Sequence, residues 1–305
     1  MKRYRKINIA MRIKCFLLEH LPSSNDSLKR IFIKIAFLLC CVGILFSGIY
    51  YTVVFAGEYK EKKLIYSQIE QYSTYGEKYA ETCKKENPDY TAWLSSKYGF
   101  ISGPVFKTDN NSFYLSHNSQ KKSSRYGSLC MDYRNTVYDK NIVIYGKAND
   151  EGPVFGYLNY LRLLDFFKQN SFVTLAVSGN ETVYDIYAVF VLNYKKEQDD
   201  GRIYDIYRQN SSSQKEFDEW VNDAKERSVI TTNVDVTQED RILTLVTNCD
   251  DFEGARLVVM ARSRAAGTSF NPQELIASPN PNPKYPKIWY TQKNIAYPFE
   301  SENNN

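Results

Sequence analysis

The chain has 305 residues, with 43% hydrophobic and 15% aromatic residues and a formal charge of +4. Nine of its 39 basic residues and two of its 35 acidic ones precede position 35, so the rest carries 30 basic against 33 acidic residues. The basic excess therefore belongs to the N-terminal tail and does not point to nucleic-acid binding. Only His20 and His117 are histidines, and no Cys/His spacing suits a zinc module, so no metal or cofactor is implied.

The tail (1–34) carries Lys2, Arg3, Arg5, Lys6, Arg12, Lys14, Lys29, Arg30 and Lys34 against Glu19 and Asp26. The run from Ile35 to Ala56 has no charge, and at about 1.5 Å rise per residue it spans a bilayer core of about 30 Å. A helix pairs its backbone internally, so lipid can surround it. The run starts too late and is too long for a cleaved signal peptide, and it lacks the polar face of a soluble core helix. Positions 35–57 are therefore expected to be a transmembrane anchor. The basic flank puts the N-terminus in the cytoplasm and the rest of the chain outside.

Residues 58–89 read as a charged helical stalk. Leu64, Ile65, Ile69, Tyr72, Tyr79 and Cys83 share one face, tyrosines packing on the domain, and Asn87-Pro88 ends it. Residues 90–270 become short β-branched and aromatic runs: 141–146, 172–177, 184–192, 202–207, 241–247 and 255–262. Helices are expected at about 155–168 and at about 214–227, where Phe217, Trp220, Val221 and Ala224 have helical spacing. This is a mainly β domain with a few helices, pointing to a closed or nearly closed sheet. The segment 271–305, with Pro279, Pro281, Pro283 and Pro286, should be extended and irregular. Of six cysteines, Cys15 falls in the tail, Cys40 and Cys41 in the anchor, and Cys83, Cys130 and Cys249 outside. Three is odd, so at least one is unpaired or bonds another chain.

Several segments together resemble the class B sortases, membrane-anchored cysteine transpeptidases of Gram-positive bacteria. The match begins at Tyr90-Thr-Ala-Trp93-Leu94 and continues through Tyr114-Leu-Ser-His117 and Lys122-Ser-Ser-Arg-Tyr-Gly127-Ser-Leu-Cys-Met-Asp132-Tyr133-Arg134-Asn135. Asn141-Ile-Val-Ile-Tyr145-Gly146 resembles the family's histidine strand, with Phe155-Gly156 and Leu158 downstream. Ile242-Leu-Thr244-Leu245-Val-Thr247, followed by Ala255-Arg256, resembles its cysteine strand. The resemblance runs from about 60 to 300. It implies an eight-stranded sortase β-barrel, an N-terminal helix and a helix before the cysteine strand.

It also implies a chemistry. A cysteine thiolate attacks a sorting-signal carbonyl, a histidine moves the protons, and an arginine supports the substrate or oxyanion. Arg256 falls at the arginine position. The histidine position, directly after Tyr-Gly and eight residues before Phe-Gly, holds Lys147, an ammonium of reference pKa about 10.4. The cysteine position, after Thr-Leu-x-Thr, holds Asn248, whose amide is no nucleophile. Cys249 comes one residue late, and neighbours on a strand face opposite sides; only a local bulge would turn it back. Thr247 and Tyr145 are the residues expected at the substrate, and His117 is expected to have a structural or surface role.

The expectation is thus a membrane-anchored sortase-like protein with impaired or no transpeptidase activity. It would bind a sorting signal or another envelope protein, with a peptidoglycan precursor as a further partner and no nucleic acid. The alternative is an active sortase using Cys249 and Arg256, assisted by Lys147 or His117. A third reading is a structural envelope protein with a Cys130–Cys249 disulfide.

Overall fold

The computed structural model describes residues 9–149, 152, 154–264 and 275–299. The chain forms two compact units, Met1–Lys60 and Glu61–Asn305.

In the first, helix α1 (Ile9–His20) leads by a short turn into helix α2 (Leu28–Tyr75). Lys34 Nζ ties the turn, donating to Asp26 at 2.8 Å and to the Leu21 carbonyl at 3.1 Å. No proline falls between Pro22 and Pro88, so nothing interrupts the hydrogen-bond ladder of α2. The helix is long and apolar enough to cross a membrane. The expected anchor and stalk thus run on as one helix as far as Tyr75. The break comes at Gly76, where φ is +52° and an added Cβ would meet nothing within 4 Å. There glycine supplies conformational freedom, not space. Helix α3 (Glu77–Glu86) follows and stops before Pro88.

The second unit is a closed eight-stranded barrel, as expected. Its strands are β1 (Tyr90–Ser96), β2 (Ser102–Phe106), β3 (Leu129–Met131), β4 (Asn141–Tyr145), β5 (Phe172–Val177), β6 (Asn180–Leu192), β8 (Ile242–Asn248) and β9 (Arg256–Ser263). Their order around the wall is β1-β2-β3-β4-β8-β9-β6-β5, closed by β1 against β5. β7 (Ile230–Thr232) pairs outside the barrel with β10 (Ala277–Pro279).

Alternation along the strands sorts side chains between two cores. Ile142 and Ile144 of β4, Leu243 and Leu245 of β8, and Leu257 and Val259 of β9 fill the interior. Their neighbours Val143, Val246, Val258 and Met260 face outward. Helix α5 (Gln214–Arg227) covers these with Phe217, Trp220 and Val221. Tyr72 of α2 stacks on Trp93 at 4.0 Å between ring centroids, and Tyr79 of α3 meets it edge-on. The stalk tyrosines do pack on the barrel.

Three elements differ from expectation. Residues 202–207 form no strand: Tyr204 and Ile206 are buried against α5, and the Tyr204 hydroxyl donates to the Trp220 carbonyl at 3.0 Å. The helix expected over 155–168 is a 3₁₀ turn (Leu158–Arg162) followed by the short α4 (Leu164–Gln169). The described part of the C-terminal segment holds β10 and helix α6 (Lys287–Gln292), where Tyr285, Trp289 and Tyr290 cluster. Aromatic packing thus orders a stretch whose prolines imply irregularity. Finally, Cys130 and Cys249 are free thiols in separate hydrophobic clusters, so the Cys130–Cys249 disulfide of the third reading is not formed.

Candidate functional site

β4 and β8 run parallel, with Tyr145 opposite Val246, and β8 and β9 run antiparallel, with Asn248 opposite Arg256. The ends of the three strands therefore bring Lys147, Asn248 and Arg256 side by side. Alternation places all three on the outward face, in line with Tyr145, Val246 and Val258.

The segment after β4 is built on close contacts. A Cβ on Gly146 would come within 2.6 Å of the Phe155 ring, and one on Gly156 within 2.4 Å of the Gly152 nitrogen. Gly146 leaves room for the Phe155 ring over the strand end, and Gly156 for the backbone of Asn149 and Gly152. The Gly146 amide donates to Val246 O at 3.2 Å, and the Phe155 amide to Lys147 O at 3.2 Å.

Within this frame Lys147 is half-buried as a residue, and its solvent-facing ammonium donates to the Arg125 carbonyl at 3.4 Å. The exposed Asn248 carboxamide is clasped by the backbone beside Lys147. Its Oδ1 accepts from Ala148 N at 3.2 Å, and its Nδ2 donates to Ala148 O at 3.5 Å. Arg256 Nη1 donates to Ala255 O at 3.0 Å and Gly254 O at 3.3 Å, and its guanidinium lies 5.3 Å from the Tyr194 ring centroid.

Cys249 points the other way. Its ladder continues unbulged, Cys249 N reaching Ala255 O at 3.4 Å, and its side chain joins the barrel core at 8% exposure. Burial pushes the thiol up to about 12, and the Asp251 carboxylate adds to this. The turn beyond is pinned by a bidentate pair, Arg162 to Asp251 at 2.7 and 2.8 Å. A cleft of about 720 Å³ opens beside it, lined among others by Asn159, Tyr160, Trp289 and Lys293.

The two residues expected at the substrate have partners of their own. The buried Thr247 hydroxyl donates to Gly146 O at 2.7 Å. The Tyr145 hydroxyl bonds Asp132 at 3.0 Å and the Tyr207 hydroxyl at 2.8 Å. Asp132 also accepts from Arg134 Nε and Nη2, both at 2.8 Å, and from Asn111 at 2.8 Å. Burial opposes its charge, yet the bonds from Arg134, Tyr145 and Asn111 prevail and hold its carboxyl below the ordinary value. Arg134 in turn lies 3.7 Å from the Tyr207 ring centroid. This latch, which joins the loop before α5 to β4, escaped the sequence reading. Its only signal was the Asp132-Tyr133-Arg134-Asn135 stretch. His117 stacks on Phe113 at 4.1 Å, and its Nδ1 lies 2.8 Å from Phe113 O and 3.1 Å from Ser116 Oγ. These bonds lie within its own loop.

No protein-family model matches the chain. A curated sortase B of Listeria monocytogenes is 32% identical over 184 residues, covering 59% of this chain and 71% of the relative. The solved sortase B of Clostridium perfringens is 30% identical, with TM-score 0.54 over 61% of this chain and 99% of that one. The Staphylococcus aureus sortase B–substrate complex shares the fold at 20% identity, with TM-score 0.57 over 72% of this chain and all of that one. The barrel, the order of its motifs and this identity over most of a curated sortase B show that the chain belongs to the sortase B family.

Proposed function

We propose that the chain is a membrane-anchored sortase-fold receptor that holds a sorting-signal peptide or another envelope protein without transpeptidase turnover. The observation that carries this reading is the pair Asn248 and Cys249. The outward position between Lys147 and Arg256 holds an amide, whereas the adjacent thiol is buried and stays protonated at neutral pH. Thioacyl formation needs a thiolate within reach of the peptide carbonyl. Lys147 and Arg256 remain as donors to a bound backbone, beside Tyr145 on the same face, while Thr247 braces the strand end from the other side through its bond to Gly146 O. The substrate complex solved for the S. aureus relative supports a substrate protein as the partner. Helix α2 supplies the anchor and its basic flank the orientation, with the barrel outside the cell.

The test uses the full chain in detergent, with labelled peptides drawn from surface-protein sorting signals. Saturable binding without cleavage is expected, and Cys249→Ala should leave it unchanged. Cleavage that Cys249→Ala abolishes would establish the active-sortase alternative, and failure to bind any such peptide would refute the receptor.

A further inference from the structure

At the opposite mouth of the barrel lies a second cavity, of about 160 Å³. Arg241 precedes β8 by one residue, seven positions before Asn248, and at a strand rise of about 3.3 Å this is roughly 20 Å away. The walls are mixed: Val137, Leu175 and Val177 give an apolar side, and Tyr184 and Arg241 are among the polar groups, with Ser178, Asn180 and Thr182. Tyr184 is fully buried, and its hydroxyl has no hydrogen-bond partner among the described residues. A buried hydroxyl left in that condition is costly, so a ligand that accepts from it is favoured. Arg241 donates Nε to Asp139 O at 3.2 Å and Nη2 to Val137 O, while its Nη1 makes no bond among the described residues. Its charge is felt at the phenol, opposing the upward push of burial on Tyr184.

We propose that this cavity is a binding site for a small organic monocarboxylate, its apolar body against Leu175 and Val177 and its carboxylate bonded by Tyr184 and Arg241. The size separates this from a water site. One water takes about 30 Å³ of liquid, whereas an apolar cavity of about 150 Å³ holds benzene. Among the polar groups that line the space, the Tyr184 hydroxyl and the Arg241 guanidinium can both donate, and the guanidinium is charged, which suits an acceptor-rich, negatively charged head group. The site is independent of the receptor reading, because none of its residues belongs to the Lys147–Asn248–Arg256 face.

The test is NMR on the full chain in detergent, with leucine and valine methyls labelled and butyrate or butyramide titrated in. Butyrate should shift the Leu175, Val177 and Val137 methyls saturably, and butyramide should bind at least about tenfold more weakly. Tyr184→Phe removes an oxygen that bonds no protein atom among the described residues. It should leave the unfolding midpoint unchanged or raised while weakening butyrate at least about tenfold. Val177→Phe, which fills the cavity, should abolish the shifts with the remaining methyl spectrum intact. The proposal is overturned if butyrate gives no saturable shift, if Tyr184→Phe binds it equally well, or if butyramide matches it.

Discussion

At the level of single residues, the site turns on which side of a strand a side chain occupies. Asn248 and Cys249 are adjacent, yet one meets solvent and the other Leu245, Phe252 and Leu257 in the barrel core. With its thiol raised to about 12, Cys249 carries essentially no thiolate at pH 7. Iodoacetamide should therefore label it at a rate limited by unfolding, and denaturant should release fast labelling. Native labelling as fast as that of a free thiol would contradict the placement. The complementary variant, Asn248→Cys, puts a thiol on the exposed face beside Lys147 and Arg256. It should label at least about tenfold faster than Cys249 at neutral pH, as mass mapping of the two peptides would show. That Lys147 and Asn248 stand together at the ends of β4 and β8, across from Arg256, was legible from motif spacing. The inward turn of Cys249 was legible from strand alternation, because this ladder has no bulge. The partners of Tyr145 and Thr247 were not, since Asp132, Tyr207 and Gly146 reach them from elsewhere in the chain.

The elements that frame the site are held by a few polar ties. Asp132 fastens β3 and β4 to the loop bearing Tyr207, and its folded carboxyl lies below the ordinary value of about 3.9. Its contribution to stability is therefore present above pH about 4 and is lost as the pH falls toward the folded value. Asp132→Asn should lower stability by about 2 kcal/mol at pH 7, and the gap from the parent should narrow below pH about 4. Urea midpoints across that range would show it, and a gap independent of pH would mean that the carboxylate charge is not what holds the latch. Strands β4, β5, β8 and β9 and helix α5 were legible because their periodicity is also their burial pattern. Residues 202–207 misled because a buried loop that alternates Tyr204 and Ile206 with polar neighbours carries the same pattern as a strand. β3 escaped because three residues are too few for any period to show.

For the whole molecule, the sequence separates an apolar N-terminal part from a folded C-terminal one, and the two compact units follow that division. Helix α2 extends past the expected end of the anchor because no residue stops it before Gly76. In the receptor reading the chain crosses the membrane once with Cys15 inside, while Tyr138, 84% exposed, lies outside. Tyr138→Cys in intact cells should react with a membrane-impermeant maleimide, whereas Cys15 should react only after permeabilisation. The reverse pattern would invert the topology.

The order of strands around the wall also has a consequence for how the protein comes to exist. β8 sits between β4 and β9, and about a hundred residues separate Ile142 from its partner Leu243. Such distant pairings form slowly, because the chain must close a long loop before any contact repays it. Until they form, β4 and β9 present open edges to whatever shares the compartment. The stave that seals the wall is the one that ends in Asn248, so a nascent or partly folded chain cannot display the Lys147–Asn248–Arg256 face. In the receptor reading, ligand competence therefore waits on completion of the barrel, and engagement of that face would report a chain folded through β9.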